Sequence, residues 1–130
     1  MASFRIKHIN TMALFSITLA VTTQAVAAKP CVYTNTQAQI NQCAAYELAI
    51  EDRKLNHSYT ELQNLLSTTE KKQLKNVQLA WIDFRDKACK FSARDTKGGS
   101  IYSTVLNSCL TTYTEQRRTQ LDDEIASINK

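Results

Sequence analysis

Residues 67–70 read Ser67-Thr68-Thr69-Glu70, and they lie near the middle of a 67-residue stretch, Cys31 to Lys97, that contains neither glycine nor proline. An unbroken helix over that stretch would be about 100 Å long at ~1.5 Å per residue, whereas a domain of this size has a radius of gyration of about 13 Å. The chain must therefore fold back inside it. Ser67 supplies the place. Its hydroxyl can cap the first amides of a new helix while Glu70 reaches back to the Ser67 amide, the reciprocal S-x-x-E arrangement.

Apolar side chains on either side of that break keep helical spacing. Ala44, Leu48, Glu51, Leu55, Tyr59, Leu62 and Leu66 recur at steps of three and four before it, with Glu51 the one charge in the series. Leu74, Val77, Trp81, Phe84, Ala88 and Phe91 do the same after it. Each set predicts one core-facing helical stripe. A second break, Asp95-Thr96-Lys97-Gly98-Gly99-Ser100, holds the only two glycines, residues free to take positive φ. Beyond it Leu106, Leu110, Tyr113, Arg117, Leu121, Ile125 and Ile128 predict a third stripe. Isolated helices of this kind are weak and gain stability by burying their stripes together. The expected fold is all-α: a small antiparallel three-helix bundle.

Composition agrees. The chain has 130 residues, 43% of them apolar and 22% charged, with one proline and two glycines. That length allows one domain with one core. The apolar fraction excludes a wholly disordered chain. The scarcity of Gly and Pro speaks against a β-sandwich or barrel, which needs frequent turns.

The N-terminus reads as an address. Arg5, Lys7 and His8 precede an uncharged run from Met12 to Val21, and the small residues Ala25-Val26-Ala27-Ala28 follow. Basic, apolar and A-x-A segments in that order are the pattern of a cleaved secretory signal, and the run is too short for the ~20 residues that span a bilayer. The expected organisation is a signal peptide over 1–27 and a mature domain over 28–130, placed in the periplasm or secreted. Cys31 follows Ala28-Lys29-Pro30, a poor context for lipidation, so no stable membrane insertion is expected. Losing Arg5 and Lys7 takes the basic residues from 16 to 14 against 12 acidic ones. A balance near +2, with Lys71, Lys72 and Lys75 or Arg117 and Arg118 as ordinary solvated faces, gives no argument for nucleic acid.

Export puts the four cysteines in an oxidising compartment, where an even number reads as disulfides. Cys89 lies nine residues before Gly98 and Cys109 ten after Gly99, so a hairpin at the glycines brings them level. Cys31 and Cys43, twelve positions apart, can pair only if the chain ahead of Cys43 doubles back as a loop. This sequential pairing is favoured, with Cys43–Cys89 and Cys31–Cys109 as the rival.

Little in the chain points to catalysis or to a cofactor. His57 is the one histidine of the expected mature chain. Bridged thiols offer neither nucleophile nor zinc ligands, and no metalloprotease, phosphate-loop or dinucleotide motif occurs. The carboxylate pairs Glu51-Asp52 and Asp122-Asp123 are adjacent on their helices and point apart, unlike the facing pair of a glycosidase. The expectation is a binding protein without cofactor or metal.

The segment Gln78-Leu-Ala-Trp81-Ile-Asp-Phe84-Arg85-Asp86-Lys-Ala-Cys89-Lys-Phe91 resembles the signature of the LprI-like lysozyme inhibitor family. Leu55-Asn56, Tyr59 and Leu62 upstream, and Gly98-Gly99-Ser100, Cys109-Leu110, Thr114, Arg117 and Leu121 downstream, extend the likeness over the mature chain. The resemblance implies a small exported cysteine-bearing helical protein whose partner is lysozyme or a related peptidoglycan hydrolase, blocked by non-covalent contact. The alternative is an envelope interaction module of another role, such as immunity against a cell-wall toxin or an assembly factor. The sequence leaves the oligomeric state open.

An inhibitor must present a stiff projection to an enzyme cleft, and the candidate is the Lys97-Gly98-Gly99-Ser100 tip. Asp122-Asp123-Glu124 is the one sizeable acidic cluster available to steer a basic partner. Trp81 is expected in the core. Reflection through the Ser67 turn brings Arg85 near Glu51, predicting an ion pair. Reflection through the glycines brings Arg117 near Trp81, predicting a guanidinium–indole stack.

Overall fold

In the computed structural model of the chain, Cys31 and residues 36–130 are described; the expected leader 1–27 lies outside them. Three helices account for most of this part: α1 over Gln37–Leu65, α2 over Thr68–Ser92 and α3 over Tyr102–Ile128, with a 3-10 turn at Arg94–Thr96. No strand occurs among the described residues.

The first break forms as its residues require. Ser67 is the N-cap of α2, its side chain accepts from the Glu70 amide, and the Glu70 carboxylate accepts from the Ser67 amide at 2.8 Å. Consecutive helices run antiparallel, which leaves α1 and α3 parallel. Thr104 meets Asn41 near one end, Arg118 meets Glu51 in the middle, and Ser58 meets Asp122 further on. α1 and α3 are the closely packed pair, and α2 is held mainly by α3.

The two ends of the bundle are stabilised differently. Toward the Ser67 turn, Leu55, Leu62, Leu121 and Ile125 form the apolar core, with Tyr59, Leu66, Leu74 and Trp81 packed against it. Toward the glycine turn the buried residues are small: Cys43, Ala44, Cys89 and Ala93. There the disulfides Cys31–Cys43 and Cys89–Cys109, with Cα atoms 5.2 and 5.6 Å apart, do the clamping. Sulfur cross-links stand where little apolar volume is available, chiefly by restricting the unfolded chain.

α2 departs from its predicted orientation. Its half-buried apolar residues, Leu74, Trp81 and Ala88, face inward as expected, but Val77, Phe84 and Phe91 are exposed. The buried positions are instead Gln78 and Cys89, with the Arg85 side chain only 14% exposed. Residues 78, 85 and 89 share a face at steps of seven and four. The bond from Cys89 to Cys109 turns that face toward α3, and the aromatic side of the stripe is carried out to solvent. α3 shifts similarly: Thr114 is fully buried beside Leu121, one turn-pair away, while Ile128 is half exposed.

Candidate functional site

The glycine turn forms a compact tip on a rigid base. α2 ends at Ala93, whose amide still donates to the Cys89 carbonyl at 3.0 Å. The 3-10 turn follows, with the Thr96 amide and hydroxyl both donating to the Ala93 carbonyl. Gly98 takes φ +86°, the left-handed conformation that side-chain-bearing residues avoid. The Gly99 amide donates to the Thr96 carbonyl, and the Tyr102 amide to the Gly99 carbonyl, launching α3. Gly99 packs closely as well: a Cβ there would stand 3.2 Å from the Thr96 carbonyl oxygen, a tight contact that the turn would have to yield to accommodate.

Two braces reach this tip from outside it. Cys89–Cys109 ties the two helices beneath it, with Cys89 fully buried. From α1, Asn41 Nδ2 donates to the Ser100 carbonyl at 2.8 Å, and Asn41 Oδ1 in turn accepts from Thr104 and Gln37. Lys97, Gly98, Gly99 and Ser100 are all exposed on this framework. Arg94 joins them: its guanidinium lies 4.3 Å over the Phe91 ring and donates to the Phe91 carbonyl. Sequence reasoning missed Asn41 and Arg94, because Asn41 lies 59 residues from the carbonyl it braces. Arg94 also pairs with exposed Asp95 at 3.4 Å, so among the described residues the tip offers one unpaired cation, Lys97, a bare backbone turn and little freedom.

The second cluster lies where α2 faces α1. Arg85 Nη1 meets Asp52 Oδ1 at 3.3 Å and donates to Thr114 Oγ1 at 3.0 Å, while Arg85 also pairs with Asp86. Its guanidinium sits 5.1 Å from the Trp81 ring centroid. An open groove of about 630 Å³ runs along this seam, lined among others by Leu55, Tyr59, Gln78 and Trp81.

Both predicted pairings need correction. Glu51 bonds Lys54 at 2.6 Å and Arg118 at 3.3 Å, not Arg85. Adjacent helical residues lie about 100° apart, so Asp52 faces α2 while Glu51 faces α3. Arg117 does not stack on Trp81. It donates to Gln78 at 3.0 Å and Gln120 at 3.1 Å, and Arg85, one turn along from Trp81 on the same helix, takes the indole. Burial lowers the Arg117 pKa, opposed by the charge of Glu124. The acidic cluster is also partly committed, since Asp122 accepts from Arg118 and from Ser58.

No group of His, Cys, Asp and Glu able to hold a metal occurs among the described residues. No helix of the described residues is long and apolar enough to cross a membrane. What the geometry defines is a small disulfide-clamped helical protein with a braced polar tip. Comparison with known families gives it a place. A family model, lysozyme inhibitor LprI, matches residues 27–121, and the chain belongs to that family. It is also similar to an uncharacterized protein of Rhizobium meliloti (strain 1021), 27% identical over 128 residues, covering 86% of this chain and 92% of that one. No solved structure matches.

Proposed function

We propose that the chain is exported to the periplasm or beyond and inhibits a lysozyme by non-covalent contact, with the Lys97-Gly98-Gly99-Ser100 tip entering the enzyme's cleft. Membership of the lysozyme inhibitor family carries this reading. The tip gives it a mechanism. Binding costs free energy for each flexible group immobilised, roughly 0.5–1.5 kcal/mol per ordered side chain. A turn already fixed by Gly98, Asn41 and Cys89–Cys109 avoids most of that cost.

Electrostatics favours the same end. A muramidase cleft flanks the scissile sugar bond with two carboxyl groups. Lys97 places a cation on the exposed turn, complementary to such a cleft, while Arg94 is balanced by Asp95 beside it. The mechanism is occlusion, with no bond made or broken. Export rests on the leader pattern over 1–27, and the domain would be the remainder, 28–130.

The test is a cell-wall lysis assay with the purified, oxidised mature chain against several lysozyme types. Inhibition at micromolar concentration or below is expected. Absence of inhibition across all types would move the protein to another envelope binding role, such as immunity against a cell-wall toxin.

A further inference from the structure

We propose that the outer face of α2, Val77–Phe84–Phe91, is the contact surface of a two-fold homodimer in which two copies of α2 pack antiparallel about Phe84. The first observation is an inversion of burial. α2 turns Gln78 and Arg85 inward, while Val77, Phe84 and Phe91 are 53%, 56% and 67% exposed. Cys89–Cys109, Arg85 and Gln78 fix that rotation from within the chain, and it leaves three large apolar side chains without a partner in the core.

Spacing makes these residues a seam. Leu74, Val77, Trp81, Phe84, Ala88 and Phe91 alternate steps of three and four, the 3.5-residue repeat that keeps a side facing a partner helix. Within the chain only Leu74, Trp81 and Ala88, every second member, face inward. The exposed three leave roughly 300 Å² of apolar surface in one row, in the range of the largest patch on an ordinary monomer, which is often a contact site. It would form the apolar centre of the ~800 Å² per partner that a stable dimer covers. Phe84 is already held in place, edge-on to Tyr113 of α3 with centroids 5.8 Å apart. Ala80, exposed and small, lets a second backbone approach between the larger side chains.

Charge selects the occupant as a second copy. Asp83 and Lys87 flank Phe84 on the solvent side and bond each other at 2.8 Å. An antiparallel pairing about Phe84 sets Val77 opposite Phe91 of the second copy. It also brings Asp83 within about 3 Å, along the axis at ~1.5 Å per residue, of the second copy's Lys87. One acid just before the centre and one base a turn beyond it, on the same flank, meet their opposites in the second copy under a two-fold, whereas a partner of single charge would leave one of them opposed.

Sedimentation equilibrium of the oxidised mature chain across the micromolar range tests this. A reversible dimer is expected, with F84E raising its dissociation constant at least thirtyfold or so, the scale of a central aromatic anchor. Dilute F84E should keep the helical circular dichroism of the parent and melt only slightly lower, by the edge contact with Tyr113 that it gives up. D83K alone and K87D alone should each weaken the dimer, and mixing the two variants should restore association. A parent chain that stays monomeric, a dimer indifferent to F84E, or a D83K and K87D mixture no tighter than its components would each overturn the proposal.

Discussion

Arg85 on α2 reaches Asp52 on α1 at 3.3 Å, one residue away from the glutamate that reflection through the Ser67 turn singles out. The same guanidinium covers Trp81 and donates to the buried hydroxyl of Thr114 on α3. One side chain thus joins all three helices at mid-height. That matters because α2 is otherwise held mainly by α3 and by Cys89–Cys109.

Arg85→Ala should therefore lower stability by about 1–3 kcal/mol, chiefly by leaving the buried Thr114 hydroxyl without its partner, with a smaller share from the half-exposed Asp52 pair. Arg85→Lys should recover only part of the loss, since an ammonium lacks the fork that serves Asp52 and Thr114 together. Urea denaturation of the two variants checks both. A loss under 0.5 kcal/mol, roughly a surface value, would remove Arg85 from this role.

Cutting the Cys89–Cys109 bridge by the double Ala variant should lower stability by about 3 kcal/mol. Because that bond fixes which face of α2 is turned to α3, its loss should also let α2 rotate. Solvent exposure of the Phe84 and Phe91 rings, read by hydroxyl-radical labelling of those side chains, should fall in the same variant.

Gly98→Ala tests the tip alone. Space is open around Gly98, so the cost is the positive φ, about 1 kcal/mol. Gly98→Asn should cost less, since asparagine tolerates that region. Thermal melts of the two variants rank them, and equal melting to the parent for both would mean the turn is not held in the left-handed form.

Acid should destabilise the fold through two glutamates. Glu51 is held below the ordinary glutamate range by its hydrogen bond from Lys54, with Arg118 assisting against the effect of burial. Glu70 is held below it by the Ser67 hydroxyl and amide. A carboxyl with a depressed folded value adds stability above its unfolded value and loses it as pH falls through the folded one. Melting temperature should be flat from neutral pH and start to fall below about pH 4.3. Glu51→Gln and Glu70→Gln should each lower the plateau and shallow the fall; an unchanged profile in both would contradict the assignment.

The parts of this fold written in the sequence are those with local causes. The Ser67–Glu70 cap and the glycine turn follow from residues near each other, whereas symmetry about a turn favours the sequential disulfides over Cys43–Cys89 with Cys31–Cys109 without deciding between them, and the fold forms the sequential pair. Helix rotation is different, because a stripe wide enough to include Phe84 and Arg85 does not say which edge is buried. The Cys89–Cys109 bond decides it, and with it the swap of Glu51 for Asp52 and of Arg117 for Arg85. Thr114 carried no local signal: its burial depends on an arginine 29 residues away. For the tip, Lys97 to Ser100 were legible as an exposed turn, while the Asn41 brace was not.

The proposed entry of a pre-set tip into a lysozyme cleft is checked by titrating the enzyme with the oxidised parent chain and with Lys97→Glu. Lys97 is exposed, so the variant should melt like the parent. Inhibition by the parent is expected, with a loss of at least about tenfold in Lys97→Glu, the scale of a lost charge contact at an interface. Equal inhibition by the two, or none by the parent, would contradict it.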